Sequence, residues 1–349
     1  MVVSPSFWIQ DRSAAMMGFQ GQVIENVPNE IVLQIVEYMD SWTCLRFMKA
    51  SKKSYMLIEA HEHSISKGRA AAFTLPPLGK ALSSRTDQRD VISKDTFAMT
   101  RELELRELRS DLLVGECPSI FCLVSPPWFP PLPPSARSRL EPVLKRALHQ
   151  CDRIADIAAN ESPLPPQCYH ALLEEVDELS SSTLYSSDES LNPLANPKAR
   201  PKQIEYIRSL LLEDVAGLYM LVNLIGYGMM ACYQFSTPSM EVKTTIEECV
   251  LRHGTWFVWA CLRSELSLAS CMIDAGRVEL RQWESGALKG PDGLKMTLTG
   301  RFRELLGGAT GPEFSEKVEE TLGKLIEVGV NKDKAGKPEA RSKKGVNTI

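Results

Sequence analysis

Histidine is scarce in this chain, with 5 in 349 residues. His61, His63, His149, His170 and His253 nowhere form an HExxH pair, which excludes the helical two-histidine zinc site. The sequence also lacks both a G-x-S-x-G nucleophile elbow and a glycine-rich P-loop ending in lysine. Cysteine is present 9 times, an odd number, without a single CxxC pair. The closest two, Cys117 and Cys122, have no second pair or nearby histidine to complete a zinc site. No metal and no cofactor are expected, and the thiols read as reduced and mostly buried, in a reducing compartment.

An excess of positive charge is missing too. The net charge is −4 and the pI is near 5.9, whereas nucleic-acid binding usually brings a basic face or stripe. The opening MVVSPSFWIQDRSAAMM has no basic start followed by an apolar block, so no signal peptide is expected. The expected location is the cytoplasm and/or nucleus.

Only one long apolar run occurs, Val215 to Phe235, about long enough to cross a bilayer. It contains Asn223, Gln234 and three tyrosines, and it continues a charged amphipathic stretch without a basic flank. It reads as a core helix, or as two helices broken near Gly226 and Gly228; a membrane partner is not expected. The run holds a formal GxGxxA match at Gly226, Gly228 and Ala231, with Glu247 and Glu248 about twenty residues on. No strand–helix–strand alternation surrounds it, so the glycines read as helix-packing positions.

Strand signals are thin. IFCLVS and WFVWACL are each long enough for one strand, but neither has a hairpin partner, and no repeat period is visible. Helical periodicity fills the rest, so the fold class is mainly α. One stripe carries Phe97, Leu105, Leu108 and Leu112; another carries Leu140, Leu144, Leu148, Cys151, Ile154 and Ala158. A third, Tyr169, Leu172, Leu173, Val176 and Leu179, follows a proline pair. Near the end Phe314, Val318, Leu322 and Leu325 are in register, opened by Gly311-Pro312 and closed at Gly329.

Three segments punctuate the chain. Residues 125–138 are proline-rich and read as an extended polyproline connector. Residues 179–201 are serine-rich, acidic and then proline-punctuated, the composition of a mobile loop. The basic tail 331–349 has almost no large apolar residue and is expected to be disordered.

The stretch VPNEIVLQIVEYMDSWTCLRFMKASKKSYMLI, Val27 to Ile58, concentrates apolar residues into three short helices. Pro28 suits a first turn. Ile31, Ile35 and Met39 form one stripe, Val32 and Val36 a neighbouring one, with Tyr38 beyond. Asp40 and Ser41 can cap a second helix running to Ala50, and Ser51 starts a third. About forty residues cannot normally sustain such a core alone. Some of this surface must meet the rest of the chain or another protein.

In residue order this stretch resembles the F-box, the helical module by which substrate receptors dock on a Skp-family adaptor. Val27-Pro28 stands at the opening leucine-proline, followed by Glu30-Ile31 and by Ile35. Tyr38-Met39-Asp40 ends the first helix, Cys44-Leu45-Arg46 occupies the paired-leucine site, and Ala50-Ser51-Lys52 supplies the small-then-basic step. Tyr55 takes the place of a larger aromatic. Val27, Met39, Cys44 and Tyr55 depart from the family pattern while keeping apolar character.

The resemblance implies a non-catalytic substrate receptor of a cullin–RING ubiquitin ligase. Residues 1–25 would be a flexible arm, 26–63 the F-box and 66–330 a helical region, of one domain or two, that recognises an unknown protein substrate. Val27, Pro28, Ile31, Ile35, Met39, Leu45 and Ala50 would form much of the adaptor contact, completed by Ser51, Lys52 and Tyr55. The competing classes are an interaction protein acting outside a ligase and a helical enzyme. The enzyme's best candidates are His61, Glu62 and His63, though histidines two apart do not share a helical face.

Overall fold

The computed structural model describes residues 27–83, 90–115, 134–161, 198–232, 240–262, 272–274, 276–277 and 293–335. Four short helices come first: α1 (Asn29–Glu37), α2 (Ser41–Ala50), α3 (Lys52–Ala60) and α4 (Glu62–Ala70). A two-stranded antiparallel ribbon follows, β1 (Ala81–Leu82) with β2 (Val91–Ile92), in which Ala81 faces Ile92 and Leu82 faces Val91. The helical body comprises α5 (Phe97–Gly115), α6 (Pro134–Glu161), α7 (Ala199–Ser209), α8 (Leu212–Cys232), α9 (Met240–His253), α10 (Thr255–Leu262), α11 (Leu294–Leu305) and α12 (Gly311–Ala335). The fold is mainly α, as the periodicity requires.

The long helix α6 is the hub, packed against α5, α7, α8, α9 and α12. Its stripe from Leu140 to Ala158 is buried throughout, and it meets Leu218, Leu221, Val222 and Ile225 of α8 in the main core. Each such side chain contributes about 1.5–3 kcal/mol on burial. The apolar run 215–235 is thus a core element up to Met230: α8 continues unbroken through Gly226 and Gly228. Among the described residues no single helix is long and apolar enough to cross a membrane; α7 and α8 together have the length but meet at 119°.

Gly226 explains itself by contact. A Cβ there would lie 2.8 Å from Cγ of Glu247, so the glycine lets α8 and α9 approach. The formal dinucleotide fingerprint is a helix-packing surface. Its acidic partners are internal as well. Glu247 pairs with Lys243 and, at 3.5 Å, with Lys295, while Glu248 accepts from Arg200 Nη1 at 2.7 Å.

A recurring device closes helix starts, whose first N–H groups have no partner within the helix. A carboxylate from another helix supplies it. Glu248 accepts from the N–H groups of Leu294 and Lys295 at the start of α11, and Asp152 accepts from Thr255 N–H at the start of α10. The turn before α10 places Gly254 at φ +68°, where an added Cβ would lie 2.2 Å from Asp152 Oδ1. Only glycine fits both conditions.

Five expectations are corrected. WFVWACL is not a strand but the buried helix α10; an unbroken apolar run has no period that separates the two. The stripe Leu105, Leu108, Leu112 of α5 does not face inward, and Leu108 is 54% exposed. The buried face instead holds Leu103, Ser110 and Leu113 with the charged Glu102, Arg106 and Arg109. Arg106 is tolerated there because its guanidinium donates to Glu102, to both oxygens of Asp156 and to the Leu82 carbonyl. Burial opposes the charge on Arg106, and the Asp156 carboxylate outweighs that opposition, holding the proton more firmly than usual.

The three remaining corrections concern boundaries. The final helix does not close at Gly329 but runs to Ala335, into the tail expected to be disordered from 331. The connector expected to be extended to residue 138 turns helical at Pro134, and the loop expected to reach 201 ends where α7 begins at Ala199. The rest of segments 125–138, 179–201 and 331–349, the arm 1–25, IFCLVS and the stripe from Tyr169 lie outside the described residues.

Candidate protein-interaction surface

Helix α1 has two apolar faces with different fates. Val32 and Val36, one turn apart, are 2% and 0% exposed. Ile31, Ile35 and Tyr38 lie on the neighbouring face at i, i+4 and i+7, and are 44%, 46% and 92% exposed. The helix is set by Pro28, whose carbonyl accepts from the N–H groups of Ile31 and Val32, both at 3.1 Å.

The next two helices start on local caps. Asp40 accepts from Thr43 N–H at 2.8 Å and from its hydroxyl at 2.7 Å. Burial pushes the Asp40 carboxyl up, but the bonds to Thr43 outweigh it and hold the group below its usual range. Ser51 Oγ accepts from Ser54 N–H at 3.0 Å. Both are N-cap bonds worth about 1 kcal/mol each.

Inside, Cys44, Leu45, Met48, Ile58 and Ile65 join Val32 and Val36 around Phe97, the first residue of α5. The module therefore completes its core with a side chain from the helical body. Burial drives the Cys44 thiol up to about 11, so it stays protonated and packs as a small apolar group. Cys44, Cys151, Cys249 and Cys261 are all buried, and none of the four is in a disulfide.

Two carboxylates tie the module down. Glu62 of α4 accepts from Phe97 N–H at 2.7 Å, closing the start of α5. Glu104 of α5 accepts from Ser41 N–H, closing the start of α2, and also pairs with Arg69 of α4. Burial raises the Glu104 carboxyl above its usual value, with the Ser41 N–H and Arg69 pulling the other way. Trp42 adds a third link, its ring lying 4.8 Å from the Arg46 guanidinium carbon and 5.3 Å from that of Arg101.

The ten residues singled out in the sequence divide accordingly. Pro28, Ile31, Ile35, Ala50 and Lys52 are exposed; Val27, Met39, Ser51 and Tyr55 are half-buried; Leu45 is buried at 2%. The Val27 carbonyl accepts from Lys53 Nζ at 3.1 Å, which brings the start of α1 beside the start of α3. Tyr55 donates its hydroxyl to Glu59 at 3.2 Å. Leu45 faces inward in this chain, so its work is packing.

The ten expected contact residues leave out three exposed apolar side chains: Tyr38, Trp42 at 36% and Met56 at 58%. Tyr38 was recoverable from its seven-residue spacing to Ile31. Trp42 and Met56 carried no such signal.

The alternative cluster does not converge. His61 and His63 are exposed, His63 reaches only Asp95 at 3.9 Å, and Glu62 between them is engaged at Phe97. Among the described residues no group of three or more His, Cys, Asp or Glu is arranged to hold a metal ion.

Comparison with protein-family models, curated proteins and solved structures returned no match.

Proposed function

We propose that this chain is a substrate receptor of a cullin–RING ubiquitin ligase, docking on a Skp-family adaptor through residues 26–63. The observation that carries the reading is the outward stripe Ile31, Ile35 and Tyr38 on a helix whose other apolar face is already packed. Folding has satisfied Val32 and Val36 and left three large apolar side chains in line, the pattern of a helix awaiting a groove. These residues fall within the segment that resembles the F-box. In the proposed complex Pro28, Ile31, Ile35, Ala50 and Lys52 contact the adaptor directly. Val27, Met39, Ser51 and Tyr55 shape the edge, and Leu45 supports it from within.

The chain then does no chemistry of its own. It acts by proximity, raising the effective concentration of a substrate lysine near the charged ubiquitin. The helical body from residue 66 presents the protein substrate, in the cytoplasm and/or nucleus.

The test is co-purification of adaptor and cullin with the full-length protein from cell extract. Ile31→Glu combined with Ile35→Glu abolishes capture while leaving the helical circular dichroism unchanged. Undiminished capture by that variant rejects the docking surface. Adaptor without cullin identifies an interaction protein acting outside a ligase.

A further inference from the structure

Beneath residues 73–75, between α5 and α6, lies a cavity of about 10 Å³. His149 lines it and is only 5% exposed, yet its Nε2 makes no hydrogen bond among the described residues. The nearest carboxylate oxygen, Glu107 Oε1, is 3.4 Å away and already accepts from Thr74 N–H at 3.2 Å. Asp152 also lines the cavity; its Oδ1 accepts twice from Thr255 and its Oδ2 once, which leaves Oδ2 a free lone pair.

Two further observations stand beside the unpartnered Nε2. Leu75, one of the lining residues, holds φ at 54°, a left-handed conformation that a leucine rarely adopts. Strain of that kind persists where the surroundings fix it in place. The volume is also that of a single water, which needs roughly 10–15 Å³ and 2–4 polar partners. A cation is disfavoured because the positively charged Arg106 is among the lining residues.

We infer that one water molecule is a fixed part of the fold here, bonded to His149 Nε2 and bridging it to Glu107 and Asp152. It satisfies a buried nitrogen whose desolvation is otherwise uncompensated. It also links α5 to α6 through Glu107, the carboxylate that holds Thr74 of the 73–75 turn.

Two measurements on the full chain decide this. A high-resolution crystal structure shows a density peak within hydrogen-bond distance of His149 Nε2; an empty site, or Nε2 bonded directly to Glu107, overturns the inference. Oxygen-17 relaxation dispersion counts long-lived internal waters: His149→Leu has one fewer than wild type, and His149→Gln keeps it. An equal count in wild type and His149→Leu overturns it too. Should His149→Leu fail to fold, the wild-type crystal structure decides alone.

Discussion

Glu104 holds the backbone N–H of Ser41 between its two carboxylate oxygens, at 2.9 and 3.1 Å, across 63 positions of sequence. A helix start that cannot satisfy its own first amide is completed by a helix of the body, and Arg69 balances the charge. Glu104→Ala removes the acceptor and leaves both donors unmet. We expect a loss of about 1–3 kcal/mol in denaturant unfolding. Arg69→Ala, combined with it, costs less than the two single losses added together, since both act through one carboxylate.

The same relationship bears on autonomy. A peptide of residues 26–63 lacks Phe97, Ile65 and Glu104, and so lacks part of its core and one of its caps. It is expected to show weak helicity and no cooperative thermal transition by circular dichroism, whereas residues 27–115 show one. A sharp transition in the short peptide contradicts the dependence on α5.

Inward and outward positions on neighbouring faces separate cleanly by mutation. Leu45→Ala removes a fully packed side chain and is expected to cost about 2–5 kcal/mol. Ile35→Ala, on the exposed stripe, is expected to change stability by about 0.5 kcal/mol or less. Comparing the two by chemical denaturation tests which face of the module folding consumes.

Gly226→Ala brings a methyl group to 2.8 Å from Glu247 Cγ and 3.0 Å from its Oε1. Ala favours the helix by about 1 kcal/mol, but Glu247 is pinned by Lys243 and cannot retreat freely. A net destabilisation of about 1–2 kcal/mol is expected from overpacking. A more stable variant shows that α8 and α9 can part at no cost.

Lys295 supplies a pH test. Burial pushes its ammonium from 10.5 down to about 8, aided by Lys243 and opposed by Glu247. The folded-state value is depressed, so the contribution is fully present above the unfolded value and is lost as pH falls through about 8. Between these limits the unfolded chain keeps a proton that the folded chain releases. Wild-type stability relative to Lys295→Met is therefore expected to rise on the order of 2 kcal/mol from pH 8 to pH 10. Taking the difference cancels groups remote from Lys295, such as the Cys44 thiol. A flat difference shows that Lys295 is hydrated.

What the sequence determined by itself is local. The period from Leu140 to Ala158 commits α6 to one apolar face, and Asp40 and Ser51 start helices through bonds spanning three residues. Pro28, Ile31 and Ile35 could be picked out because their order and spacing are properties of one helix. The tertiary structure decided which of two competing faces turns inward. On α1 the Val32 and Ile31 stripes are both apolar, and only the cluster around Phe97 buries the first. On α5 the leucine stripe lost to a face carrying Arg106, because Asp156 and the Leu82 carbonyl arrive from elsewhere in the chain to satisfy the guanidinium. Periodicity reports how apolar a face is; burial depends on what stands opposite, and those partners lie 24 and 50 positions away.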